Sequence, residues 1–336
     1  MKKRRNQLPI LSILTVSVVL LTSAGRSSSQ IAPSTTYNKQ GAAKTTTLRL
    51  GIISINNAKI PTGPTGWAIQ QGKLLPELRK LGITEVKTFS FPNGPNLNEA
   101  LVAGQLDVGI YGDTPALVAK ANGMPTRLIS QEQVGMNAWL LAKKNGVRSV
   151  AELKGQKVAT SKGSYMHRYL MGLLQKTGLQ NQVTVVHLLP NEAQAALQRG
   201  DVAAIAASTG TGPLLSSKGF PVIDEASKHP DLRGTSVTVA TEAFLTQYPK
   251  LPQTWNQVKL ASVKSIKANP EAYYQFHSQV SGYSVDIVKA SFPIKQFPEE
   301  PFPKQGLALL EGTKQFLVSQ KLTRSDFKIN DWVASQ

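Results

Sequence analysis

Cysteine is absent from the 336 residues. That excludes disulfides, a Cys-ligated zinc, an iron–sulfur centre, a thiol nucleophile and an acylated lipoprotein cysteine, and it is compatible with a secreted fate. Histidine is scarce. His167, His187, His229 and His277 are the four present, and no two stand three to five residues apart, so metal-binding spacing is missing. Gly-x-Ser-x-Gly and the Walker pattern are missing as well, and Gly210-x-Gly212 lacks the third glycine of a dinucleotide fingerprint. The expectation is a chain that is not an enzyme, with no catalytic residue, no metal and no cofactor.

Carboxylates are few, 20 Asp and Glu against 38 Lys and Arg, for a net charge of +18. Seven of those cations and no carboxylate fall in residues 1–44, so the body still carries an excess of 11. A body this basic favours anionic partners or surfaces. A nucleic-acid binder would gather Lys and Arg on one face among aromatics. Here they are scattered, at Lys73, Arg79, Lys120, Lys176, Lys218, Lys259 and Lys289 among others, and no nucleic-acid partner is expected.

No apolar run is long enough to span a bilayer. The longest, Leu8–Leu21, has 14 residues, short of the roughly 20 a membrane helix needs. Behind Lys2-Lys3-Arg4-Arg5 and ahead of Thr22-Ser23-Ala24 it reads as an export signal, with cleavage expected after Ala24. Gly25 stands where a lipoprotein would have Cys. Residues 25–47 are polar and without period, an expected disordered lead-in.

From Leu48 short apolar runs alternate with helical patterns, which argues for mostly parallel sheets covered on both faces. Strands are predicted at Leu48–Ile53, Val86–Phe91, Leu106–Tyr111 and Thr126–Ser130, with helices at Gly66–Leu81, Asn96–Ala103 and Thr114–Asn122. The pattern restarts with strands at Ala138–Ala142, Lys157–Thr160, Val183–Leu188, Val202–Ala207, Val222–Asp224 and Val237–Ala240. Helices are predicted at Tyr165–Thr177 and Glu192–Arg199, and Ser149…Glu152 has capping-box spacing. Beyond Ala243 the pattern is helical, with Asn269-Pro270 as an N-cap and first-turn proline and a final helix at Gly306–Ser319. The economical arrangement has two lobes, residues 48–137 with 243–336 and residues 138–242. The chain then crosses twice and leaves a hinged cleft, a common place for a ligand.

Three strand-to-helix junctions could face that cleft: Gly112-Asp113-Thr114-Pro115, Ser161-Lys162-Gly163-Ser164 and Ser208-Thr209-Gly210-Thr211-Gly212-Pro213. Ser, Thr and Asp cap helices in every α/β protein, so each junction alone is ordinary. Converging, their free N–H groups would bind an anion. His167, in the first turn after Ser164, is a further candidate through protonation near neutral pH.

These residues support a resemblance. Phe91-Pro92-x-Gly94-Pro95, Glu99-Ala100-Leu101, Ala103-Gly104-x-Leu106-Asp107-x-Gly109 and Gly112-Asp113-Thr114-Pro115 resemble the aliphatic-sulfonate-binding proteins of ABC importers, within the nitrate/sulfonate/taurine group. The likeness continues through Leu153-Lys154-Gly155-x-Lys157-Val158-Ala159, Lys162-Gly163-Ser164-x-x-His167, Leu189-Pro190-x-Glu192-Ala193-x-Ala195-Ala196 and Gly200-Asp201-Val202 to Trp332. It implies an α/β, two-lobed periplasmic-binding-protein fold (type II) with two crossover strands as hinge. It also implies a monomer in the periplasm that closes on a small oxyanion and delivers it to a permease and its ATPase.

The resemblance suggests Gly112, Asp113, Thr114, Lys162, Gly163, Ser164 and His167 as site neighbours. Ser208, Thr209 and Gly210 of the third junction and Asn57 of the long first loop join them as expected ligand contacts. A taurine-like ligand would need a carboxylate for its ammonium group, and Asp113 and Glu132 are the nearby candidates. Two departures bear on the pocket: the family's frequent Trp-Asp-Pro after the strand equivalent to Val202–Ala207 is missing, and the loop Ser54–Gly66 is long. A thiamine-precursor protein or enzyme of the same fold, with His167 as base, and a nitrate or bicarbonate binder are the alternatives.

Overall fold

The computed structural model describes residues 46–54 and 58–335. The expected export signal, its cleavage point, most of the lead-in and Asn57 lie outside the described residues. Thr47, assigned above to the lead-in, opens the first strand.

The first half of the chain runs β1 (Thr47–Ile53), α1 (Pro64–Gln70), α2 (Leu74–Arg79), β2 (Glu85–Phe91), α3 (Gly94–Val102), β3 (Val108–Gly112), α4 (Asp113–Ala121) and β4 (Thr126–Met136). The second sheet's elements are β5 (Trp139–Ala142), β6 (Lys157–Thr160), α5 (Tyr165–Lys176), β7 (Thr184–His187), α6 (Pro190–Arg199), β8 (Ala204–Ala207), α7 (Thr211–Ser217) and β9 (Val222–Glu225). Then come β10 (Gly234–Thr241), α8 (Glu242–Gln247), α9 (Leu251–Ala268), α10 (Pro270–Ser281), α11 (Val285–Ser291), α12 (Lys304–Ser319) and α13 (Ile329–Trp332). They form two five-stranded sheets, ordered β2-β1-β3-β10-β4 and β7-β6-β8-β5-β9. In the first, β1 runs parallel to β2 and β3 while β10 is antiparallel to β3 and β4. In the second, β6 is parallel to β7 and β8 while β5 is antiparallel to β8 and β9.

Period-two alternation builds both cores. Leu48, Leu50, Ile52 and Ile110 pack with Leu74, Leu78 and Trp255 on one face of the first sheet, and Tyr111, Leu128, Val237 and Val239 with Leu97, Leu117 and Leu310 on the other. In the second sheet Leu140, Val158 and Ala204 face Tyr169 and Leu173 of α5, and Leu141, Ala159 and Ile205 face Ala193, Leu197 and Leu215. The resemblance motifs acquire structural reasons. Asp107 accepts from the Arg49 backbone N–H at 2.8 Å and from its guanidinium at 2.5 and 3.0 Å, tying β1 to the start of β3. A Cβ on Gly94 would lie 2.2 Å from Pro115, so only glycine lets the starts of α3 and α4 touch.

Four expectations are corrected. Val237–Ala240 belongs to β10 of the first sheet, because it pairs antiparallel with β3 and β4. The chain therefore returns between Glu225 and Gly234, before the limit of 242 read from the sequence. Gly66–Leu81 is two helices, because Gly72 adopts φ +64° between them. The Ser149…Glu152 pair makes no capping box. Glu152 accepts from the Arg148 N–H and the Ser149 hydroxyl on the surface, ahead of a single 3₁₀ turn. Finally, the C-terminal helices do not cover the first sheet alone. α9 and α12 pack on α1, α2 and α4, but α11 leans on α7 of the second.

Asp113, at the start of α4, is fully buried. Its Oδ1 accepts from the Thr114 N–H at 2.6 Å and the Thr114 hydroxyl at 3.0 Å, and its Oδ2 accepts from the Thr235 N–H at 2.9 Å. The carboxylate thus joins α4 to β10 where the chain re-enters the first sheet. Asp113→Ala leaves two buried N–H groups unpaired, and urea unfolding is expected to show a loss of about 2–5 kcal/mol. A change below about 1 kcal/mol, the scale of one ordinary hydrogen bond, would contradict this role.

Candidate functional site

A cavity of about 260 Å³ lies where elements of the two sheets meet. Its second-sheet side is made by the residues after β6 and β8, Ser161, Ser164, Tyr165, Ser208 and Thr209. Carboxyl ends of strands leading into helices are where open α/β sheets hold ligands. The first-sheet side includes Gly112 at the end of β3, Glu132 and Gln133 on β4, Ser236 on β10, and Tyr273 and His277 on α10. Neither Lys nor Arg is among the lining residues.

The sequence candidates divide. Gly112, Ser164, Ser208, Thr209 and Glu132 line the cavity; Asp113, Thr114, Lys162, Gly163, His167 and Gly210 are not among its lining residues. Asp113 and Thr114 are consumed in the tie to β10. The junction amides expected to hold an anion are largely paired inside the protein. The Lys162 N–H donates to His187 Nδ1 at 3.0 Å and the Gly163 N–H to His167 Nδ1 at 3.4 Å. The Thr209 N–H donates to the Tyr165 hydroxyl at 3.0 Å and the Gly210 N–H to the Ser291 hydroxyl at 2.9 Å. Gly210 sits at φ +78° with Tyr283 packed so close that a Cβ would lie 2.3 Å from its ring. The glycine is what lets that ring approach the backbone.

Hydroxyl hydrogens are what the second-sheet side can offer. Ser161 Oγ is buried and has no partner among the described residues. Tyr165 Oη accepts from Thr209, which leaves its own hydrogen to donate into the cavity. Ser164 caps α5 by accepting from the His167 N–H at 3.3 Å, and gives its hydrogen to the Ser161 carbonyl at 2.6 Å. Sequence reasoning passed over Ser161 as a contact although it sat inside a named junction. Tyr165, one residue past the cap, carried only a weak signal. Tyr273 and His277 carried none, since they reach the cavity from α10, more than 90 residues downstream of α5.

Burial controls the titratable groups. It pushes His167 down to about 4, with Lys162 and His187 adding repulsion. His167 is therefore neutral near pH 7 and accepts from Gly163, which corrects the expected protonation. Burial also pushes His277 down to about 3 and Tyr165 up to about 12. Lys259 is pushed down to about 8 by burial, against the pull of Glu132 and Glu300. It stands behind the lining and donates to the Gln131 carbonyl at 2.9 Å.

Comparison with known proteins adds relatives to this geometry. Over 122 residues the chain is 36% identical to a protein of Escherichia coli strain K12 whose name assigns it aliphatic sulfonates, covering 35% of this chain and 38% of that one. The chain thus matches less than half of that relative's length. Among solved structures, the alkanesulfonate-binding protein SsuA from Xanthomonas axonopodis pv. citri bound to MOPS superposes with a TM-score of 0.71 at 24% identity, covering 87% of this chain and 99% of that one. The desulfurization enzyme DSZB superposes with a TM-score of 0.67 at 16% identity over 87% of this chain and 97% of that one, so the fold is shared by binders and by an enzyme. The family described as NMT1/THI5 like matches residues 85–273, more than half of the sequence, and the chain belongs to it.

Proposed function

We propose that this protein is the periplasmic substrate-binding component of an ABC importer and takes a small organic oxyanion, an aliphatic sulfonate first of all. The observation that carries the reading is the pair of hydroxyl donors, Ser161 and Tyr165, left open at the strand ends of the second sheet. A sulfonate is ionised at every physiological pH and presents three acceptor oxygens. Neutral hydroxyl donors suit it, because hydrogen bonds to a charged group are each worth roughly 1.5–3 kcal/mol. Two or three of these, less the cost of ordering, give affinity on the order of micromolar. The relatives named for sulfonates support the same class.

Binding closes the two halves about the paired crossovers. Asn137, in the short link between β4 and β5, donates to Glu225 at 2.9 Å and accepts from the Ser227 N–H at 2.7 Å, so one side chain holds outgoing and returning segments together. Small relative rotations of the sheets then open and shut the cavity, and the closed form is what a permease and its ATPase would recognise. A monomer suffices for this cycle, and the substrate leaves chemically unchanged.

Isothermal titration against alkanesulfonates, nitrate and bicarbonate is expected to give a Kd at or below about 10 μM for at least one alkanesulfonate, with the ligand recovered intact by mass spectrometry. Ser161→Ala is expected to weaken it about 10-fold. Silence from every sulfonate would overturn the assignment, and a converted ligand would move the protein among enzymes.

The histidine shifts set a second expectation. His167 titrates at about 4 in the folded chain against about 6.5 unfolded. Between those values the unfolded state binds more protons, so stability is full above pH 6.5 and is lost as pH falls toward 4. Thermal melts are expected to be level from pH 7 to 6.5 and to drop below. Sulfonate affinity of the folded protein is expected to stay within about 2-fold between pH 5.5 and 7, because His167 is already neutral there. A steep gain in affinity on acidification through pH 6.5 would contradict a neutral His167.

A further inference from the structure

Cations that stand apart in the sequence are gathered by the strand order of the second sheet. At the end of that sheet away from the cavity β6, β8 and β9 begin and β5 finishes. Lys157 opens β6, Lys143 and Lys144 follow β5, and Lys218 precedes β9, while Arg148 and Lys154 sit on the connection from β5 to β6. All six are exposed. Backbone bonds hold their carriers side by side. The Lys143 N–H donates to the Ala203 carbonyl at 3.1 Å, the Ala203 N–H to the Lys157 carbonyl at 2.9 Å and the Ala142 N–H to the Pro221 carbonyl at 2.9 Å. Neighbouring strands lie about 4.8 Å apart, so the four strand ends span about 15 Å.

Little on these loops offsets the charge. Glu152 is engaged by the Arg148 N–H and the Ser149 hydroxyl, and Asp201 is taken by Arg199 at 2.7 Å. None of the six cations has an ion pair among the described residues. Glu192, in the first turn of α6, and Glu225, at the far end of β9, stand at the cavity end instead. The second sheet is therefore polarised, with its basic end opposite Ser161 and Ser208, which follow the other ends of β6 and β8.

The chemistry of this end suits a surface of phosphate headgroups. Five of the six cations are Lys, compact charges on flexible stems that meet a phosphate without a fixed geometry. The aromatic among them, Phe220, is 7% exposed, and the Lys144 ammonium lies 5.3 Å from its ring centre, so that ring is not free to stack on a base. A permease that distinguishes the closed form has to touch both halves, so the end of one half is not the surface it reads.

We propose that the basic end of the second sheet is a docking face for an anionic phospholipid bilayer, with Lys143, Lys144, Arg148, Lys154, Lys157 and Lys218 meeting the headgroup phosphates. Contact here holds the protein at a membrane surface while the cavity, at the opposite strand ends, stays clear for its ligand. The inference is independent of which anion the cavity takes.

The test is co-sedimentation of the protein, as recovered from the periplasm, with vesicles of mixed phosphatidylglycerol and phosphatidylcholine or of phosphatidylcholine alone. Each Lys or Arg near an anionic surface multiplies binding about 5-fold, so the mixed vesicles are expected to bind at least about 100-fold more tightly than the neutral ones. Raising the salt from about 0.1 to about 1 M, which shortens the Debye length from roughly 10 to 3 Å, is expected to release the protein. Lys143→Gln, Lys144→Gln and Lys157→Gln together are expected to weaken binding about 100-fold. The same change at Lys73, Lys250 and Lys264, exposed around α2 and α9, removes equal charge and is expected to cost about 3-fold or less. Thermal melts establish that both triple variants are folded, and the wild-type comparison needs neither. Equal binding to the two kinds of vesicle, or equal losses in the two variants, overturns the proposal. Tighter binding to duplex DNA than to the mixed vesicles overturns it too, by making the partner a nucleic acid. None of these outcomes bears on the sulfonate reading, which titration tests separately.

Discussion

The arrangement of the cavity depends on one buried carboxylate. Asp113 satisfies the N–H of Thr114 in the first turn of α4 and the N–H of Thr235 on β10, and in doing so fixes where the chain re-enters the first sheet after its excursion through the second. Gly112 and Ser236, immediately beside these bonds, belong to the cavity wall. Burial raises the Asp113 pKa, and the bonds from Thr235 and Thr114 and the charge of Arg168 oppose it. Arg168 comes from α5, on the second sheet's side, and is itself buried, with its guanidinium over the Phe316 ring of α12 at 5.6 Å. Nε and Nη1 of Arg168 have no hydrogen-bond partner among the described residues, so its charge acts on Asp113 through space from the second sheet's side.

How much of this was legible follows from the range of the interactions. Strand alternation and helix starts are local, and they located nearly every element. Sheet membership is not local. β10 reads as a short apolar run with nothing to say which sheet it joins, and it went to the wrong one because it follows directly on β9. The long helix across Gly72 failed for the opposite reason. The spacing of Trp67, Leu74, Leu78 and Leu81 fits a helical face, while the break depends on one glycine at positive φ.

The site was half legible for the same reason. Junctions rich in Ser, Thr and Gly mark helix starts reliably, but whether their N–H groups are free is decided by distant residues. The Gly210 amide is taken by Ser291, 81 positions away, and the Thr209 amide by Tyr165, 44 positions away. The first-sheet side of the cavity comes from the segment before α1, β3, β4, β10 and α10, far apart in sequence. A one-dimensional motif sees the strand ends that open into helices because they are contiguous in sequence. It misses the opposite wall because that wall is assembled from segments scattered along the chain.

The charge distribution separates attraction from recognition. The sequence carries a net +18, yet the lining contains no cation and one carboxylate, Glu132. The basic excess therefore lies outside the cavity, where it raises the local concentration of anions over distances of about a Debye length, roughly 8–10 Å. Inside, the lining carries hydroxyls on the second-sheet side and the Glu132 carboxylate on the first. A lining Arg would accept any carboxylate, phosphate or sulfate of suitable size. A lining with no cation and with Glu132 offers a dianion no counter-charge. Specificity in such a cavity comes as much from what the carboxylate repels as from what the hydroxyls hold.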